Sequence, residues 1–105
     1  MYAMIRHYRM GVGSIDDLMH KVDTQFADRI PEKVGSVLYT AINTGDGTAM
    51  TITLFENEEA GHRSEAVAAQ VRESLGEFQV EEIAGFRGEV MVSRATEEVL
   101  DPVHH

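Results

Sequence analysis

Cysteine is absent from this 105-residue chain. Disulfides and thiolate-held metal are thereby excluded, and the absence fits a reducing cytoplasm. Basic residues are scarce, with 9 Lys+Arg against 18 Asp+Glu. A chain this acidic repels phosphate backbones and anionic surfaces, which argues against nucleic acid and membrane as partners. The plainest reading of the acidity is solubility. No apolar run is long enough to span a bilayer. Arg6 and Arg9 interrupt the apolar run from Met1 to Met10, so that run is not a signal peptide. Prolines number only 2, and there is no low-complexity segment, internal repeat or linker.

What is there is enough for one domain, expected over residues 1–96, with residues 97–105 as a flexible tail. The terminal His104-His105 pair fits an expression-tag remnant and is set aside. The pattern predicts βαββαβ. Tyr2 to Arg9 reads as a first strand, ended by Gly11 and Gly13. Ser14, with Asp17 three residues on, caps a helix whose stripe is Ile15, Leu18, Met19, Val22 and Phe26. Pro31 is expected to close that helix at about Arg29. Val34 to Asn43 is the second expected strand, and Thr44-Gly45-Asp46-Gly47 a hairpin turn. Thr48 to Phe55 follows as the third. Asn57 caps a second helix whose first turn carries Glu58 and Glu59, whose stripe is Ala60, Ser64, Val67, Ala68, Val71 and Leu75, and which Gly76 stops. Val80 to Ile83 is extended. Gly85 and Gly88 are read as breaks, and the last strand as Gly88 to Arg94.

This order predicts an α+β, ferredoxin-like sandwich: a four-stranded antiparallel sheet with two helices on one face. The strands carry apolar side chains at both parities, as in Leu38 and Ile42 against Val37 and Tyr39. A domain of this size buries only about two-thirds of its unfolded surface. Both observations favour a homodimer paired through the bare sheet faces.

Three features carry a family resemblance: a first strand ending near Gly11-Val12-Gly13, a hairpin containing Thr44-Gly45, and a third strand running into a helix as Leu54-Phe55-Glu56-Asn57-Glu58-Glu59-Ala60. Over roughly residues 2 to 94 the chain resembles the antibiotic-biosynthesis-monooxygenase-like families of the dimeric α/β-barrel superfamily. The resemblance implies a cleft between sheet and helices in each subunit, a barrel formed at the dimer interface, and cofactor-free oxygenation of small aromatic or quinone-like compounds. Phe55 stands where the related haem-degrading branch has a tryptophan, and His62 falls too early on its helix and off the apolar stripe. His20 likewise lies off its stripe. No cofactor and no metal are therefore expected; there is no His-x-x-x-His either. Gly11-Val12-Gly13 lacks the third glycine of a nucleotide-binding loop.

Candidate site residues are mostly on strands. His7 is the one histidine on an expected strand, and imidazole ordinarily titrates near neutrality, which makes it the candidate proton acceptor. The plainer reading is a histidine that faces solvent. Arg6, with Arg9 beyond it, is the candidate partner for an enolate or phenolate oxygen, and a rim arginine is the plainer reading. Tyr39 and Asn43 are candidate donors to a carbonyl; packing and turn chemistry are their plainer roles. Thr51, Thr53 and Phe55 share one parity and are expected to meet Val67 and Val71 of the second helix across a pocket. The methionines are read as adaptable core filler. Three functions fit: a cofactor-independent monooxygenase-like enzyme, a non-catalytic dimer binding an apolar small molecule in a stress or regulatory role, and an isomerase or lyase with His7 as base. A cleft holding one His and one Arg favours the first or third; a purely apolar cleft favours the second.

Overall fold

The computed structural model describes residues 1–105, except the side chain of Val34. Four strands, β1 (Tyr2–Met10), β2 (Ser36–Gly45), β3 (Thr48–Phe55) and β4 (Val80–Glu89), form one antiparallel sheet in the order β2-β3-β1-β4. Three helices accompany them: α1 (Ile15–Gln25), α2 (Arg29–Val34) and α3 (Glu58–Ser74). The fold is α+β and ferredoxin-like, as the order of elements predicts. No helix among the described residues is long and apolar enough to cross a membrane.

The caps are local chemistry. Ser14 Oγ accepts from the Asp17 N–H at 3.1 Å, and Asn57 Oδ1 accepts from the Ala60 N–H at 2.8 Å. Each satisfies a helix-start N–H that has no intrahelical partner, worth about 1 kcal/mol. Glu58 and Glu59 add favourable charge to the first turn of α3.

Three boundaries differ from the sequence expectation. The first helix stops at Gln25, and Pro31 lies inside α2 rather than closing anything. Pro31 is the third residue of that helix, where a missing N–H forfeits no intrahelical bond. Gly35, at φ 69°, ends α2 in the left-handed conformation that glycine adopts without a Cβ clash. The second strand accordingly begins at Ser36. The largest change is in β4, which runs straight through Gly85 and Gly88, while residues 90–96 are outside any strand. β1 supplies the reason: it pairs with β4 from Tyr2↔Glu89 to Met10↔Val80, so a central strand's backbone holds those glycines extended. The last rung is Val90 N–H to the Met1 carbonyl at 2.9 Å.

The register shows which parity faces the helices. Tyr2, Met4 and Met10 of β1, Phe55 of β3 and Tyr39 of β2 pack in the two core clusters with the helices. One cluster joins Met4, Phe55 and Ala60; the other joins Leu18, Val22, Leu75 and Phe78. Gly61 lets α3 approach the sheet closely, since a Cβ there would sit 3.0 Å from the Tyr2 ring and 3.3 Å from Met4 Sδ. The other parity forms the open face in three cross-strand rows: Phe86–Ile5–Ile52–Thr40, Gly88–Ala3–Leu54–Leu38, and Ala84–His7–Met50–Ile42. Phe86 is 66% exposed there.

β4 carries a bulge. Opposite β1, His7 pairs with Ala84 but Tyr8 pairs with Glu82, leaving Ile83 as the extra residue. Ala84 and Phe86 therefore share the open face, whereas Glu82 and Val80 turn to the helix side.

Candidate functional site

A cavity of about 100 Å³ lies between the helix-side face of the sheet and the three helices. Strand alternation supplies its floor: Arg6 and Tyr8 from β1, Thr51, Thr53 and Phe55 from β3, Tyr39 from β2. Helical spacing supplies its roof, with Val67, Val71 and Leu75 on α3, Leu18 and Val22 on α1, and Ile30 on α2. A wider recess of about 460 Å³ borders α1, β2 and residues 98–105. Its outer wall includes Val103 at 95% exposure, so it is a surface groove rather than an enclosed site.

Polar groups cluster within the apolar cavity. Burial pushes the Tyr39 hydroxyl up to about 12, with the neighbouring Tyr8 adding to the rise and Arg6 opposing it. Tyr8 is also raised, chiefly by burial; Arg6, Arg72 and a hydrogen bond with the Thr51 side chain work the other way, and Glu82 reinforces the rise. Both phenols are therefore protonated donors at neutral pH. Arg6 Nε lies 3.4 Å from Glu82 Oε1, with the Arg6 side chain 15% exposed. The bulge at Ile83 is what brings Glu82 to that side of the sheet. Arg72, on the last turn of α3, completes the polar set. Among the described residues, none that lines the cavity is a histidine or a carboxylate.

A spectrophotometric pH titration should record this environment. Tyr8 and Tyr39 should ionise above the ordinary phenol value of 10.0, and Tyr39→Phe should remove the step near 12. Because the folded-state value is raised, the contribution of Tyr39 to stability is intact below about 10 and is lost as pH rises toward 12. A Tyr39 that ionises at the ordinary value would contradict its burial.

The expected site residues divide in two. Arg6, Tyr39, Thr51, Thr53, Phe55, Val67 and Val71 come together around the cavity. His7 and Asn43 do not. His7 is on the open face between Arg6 and Tyr8, because successive strand residues point to opposite sides, and its Nε2 lies 3.1 Å from Thr44 Oγ1. Asn43 Oδ1 accepts from the Gly45 N–H at 2.9 Å and shapes the hairpin. His20 and His62 are exposed; His62 Nε2 lies 3.3 Å from Glu58 Oε1 on the outer face of α3. Three polar lining residues were not among the sequence candidates: Tyr8, Ser64 and Arg72. Tyr8 had a signal, since it shares parity with Arg6. Ser64 was on the predicted stripe but turns its hydroxyl to the Gly61 carbonyl at 2.6 Å.

HapK from Hahella chejuensis superposes with a TM-score of 0.72 at 14% identity, over 91% of this chain and 98% of that one. A candidate antibiotic biosynthesis monooxygenase from Deinococcus radiodurans gives 0.68 at 15% identity, over 91% and 98%. This chain has the ferredoxin-like fold of the antibiotic-biosynthesis-monooxygenase-like proteins. Protein Atu4242 from Agrobacterium tumefaciens shares this ferredoxin-like fold with a TM-score of 0.58 at 19% identity, over 90% and 95%. No protein-family model and no curated protein matches the sequence.

Proposed function

We propose that this chain is a cofactor-independent monooxygenase-like protein acting on a small aromatic or quinone-like compound held in the cavity, and that it works as a homodimer in the cytoplasm. The observation that carries the reading is an apolar cavity whose titratable groups are all donors: two phenols held protonated and two guanidiniums. Such a site favours a substrate oxyanion and excludes water, which is what oxygenation without a cofactor needs. A phenolate carbon passes an electron to dioxygen and the two radicals combine, forming a C–O bond. The peroxide takes a proton. Loss of the proton on that carbon then breaks the O–O bond, so that phenol and dioxygen become quinone and water. Arg6, Arg72, Tyr8 and Tyr39 would hold the phenolate oxygen throughout.

The dimer is supported by the open face, where Ile5, Ile52, Leu54, Leu38 and Phe86 stand in register with no helix over them. A second reading, a non-catalytic dimer binding an apolar small molecule, is favoured by one observation: the described lining offers no histidine or carboxylate as proton acceptor. The isomerase or lyase reading loses its base for the same reason.

An oxygen electrode with a panel of dihydroxy-aromatic compounds separates these. Uptake should fall on the order of 10²-fold in Tyr39→Phe, the cost of losing one oxyanion donor, and stay unchanged in His7→Ala. Absence of uptake across the panel would favour the binding protein.

A further inference from the structure

We propose that the ligand enters the cavity already ionised, as a single-ring organic anion whose carboxylate or phenolate oxygen is held by Arg72. The inference rests on the cavity being the ligand site. Its own support is an imbalance of charge. Arg6 faces Glu82, Arg63 faces Glu59 at 3.4 Å, and Arg87 faces Glu65 at 2.9 Å. Arg9, Arg29, Lys33, Arg72 and Arg94 have no ion-pair partner among the described residues, and of these five only Arg72 lines the cavity, in a chain with twice as many acidic as basic side chains.

The spacing along α3 explains the difference. Arg63 has Glu59 one turn before it, whereas the positions three and four residues from Arg72 are Ala68, Ala69, Leu75 and Gly76. Arg72 is half-buried and lines an apolar cavity, so its guanidinium is partly removed from water without a carboxylate in exchange. An anion with an apolar body satisfies both at once, since a guanidinium presents two parallel N–H donors to a carboxylate. Tyr8 lies within the field of Arg72 and offers a further O–H. The described cavity wall has no carboxylate or imidazole to take a proton, so a ligand needed as an anion must bring that charge with it. The volume of about 100 Å³ is below that of the apolar cavities of about 150 Å³ that hold benzene, so the apolar body is no larger than one ring.

Benzoate and its neutral isostere benzamide are the probes, followed by amide shifts in a two-dimensional NMR titration. Benzoate should shift Tyr8, Tyr39 and Val71 and bind about ten- to a hundredfold more tightly than benzamide, the range for a hydrogen bond to a charged group. Arg72→Gln should reduce benzoate to the level of benzamide and leave benzamide unchanged, and Arg72→Lys should recover part of the preference. Dispersed amide spectra in both variants would show that the fold is kept. Equal binding of the two probes, with shifts at the cavity, would overturn the anion and leave the cavity as the ligand site. Shifts confined to other surfaces would overturn both. A benzoate preference that survives Arg72→Gln and is lost in Arg6→Gln would overturn the assignment to Arg72.

Discussion

Ile52→Asp is expected to halve the mass of the protein in solution. Wild type at micromolar concentration should scatter light as twice the chain mass, and the variant as a single chain. Ile52 is the middle of the row Phe86–Ile5–Ile52–Thr40, on one of the two central strands. In the isolated chain its side chain is only half-buried, so an aspartate there remains hydrated and the subunit can still fold. Between two apposed sheets the same carboxylate is buried without a partner, which costs about 3–5 kcal/mol, and twice over in a symmetric pair. A wild-type protein that scatters as one chain would end the dimer proposal. The exposed Phe86 would then need another explanation.

Phe55→Ala should be the most damaging change within a subunit. Phe55 is 1% exposed and packs with Met4 and Ala60 where β3 hands over to α3. Truncating a fully buried phenylalanine costs about 3–5 kcal/mol, against a total of about 5–15 kcal/mol for a domain. The loss should appear as a lower urea midpoint at constant slope. Phe55 also borders the cavity, so part of the vacated space joins it. A cost below about 1 kcal/mol would mean that the junction between β3 and α3 is held by something other than this cluster.

The legible parts of the fold were those with two agreeing signals. Ser14 and Asn57 each stood before an apolar stripe of helical period, and both are caps. The hairpin at Thr44-Gly45-Asp46-Gly47 had its glycines where positive φ is needed, at 84° and 71°. Pro31 misled because a proline ends a helix from behind yet suits the first turn of the next, and the residue alone does not say which. For the site, the sequence placed Thr51, Thr53 and Phe55 on one face, since alternation is local. It paired them with His7 rather than Tyr8, because alternation says which residues share a face and not which face is roofed. His7 drew attention by its chemistry, whereas Tyr8 and Arg72 looked like ordinary strand and helix residues.

The last strand was unreadable for a different reason. An alternating strand has a phase, and the extra residue Ile83 resets it midway through β4. Even-numbered residues point one way at Ala84 and Phe86 and the other way at Val80 and Glu82. One strand is thus two short segments in opposite phase: Val80 of the first lines the cavity, and Ala84 and Phe86 of the second stand on the open sheet face. Val80 on the cavity side and Phe86 on the open face can thus vary independently, although ten consecutive residues encode both.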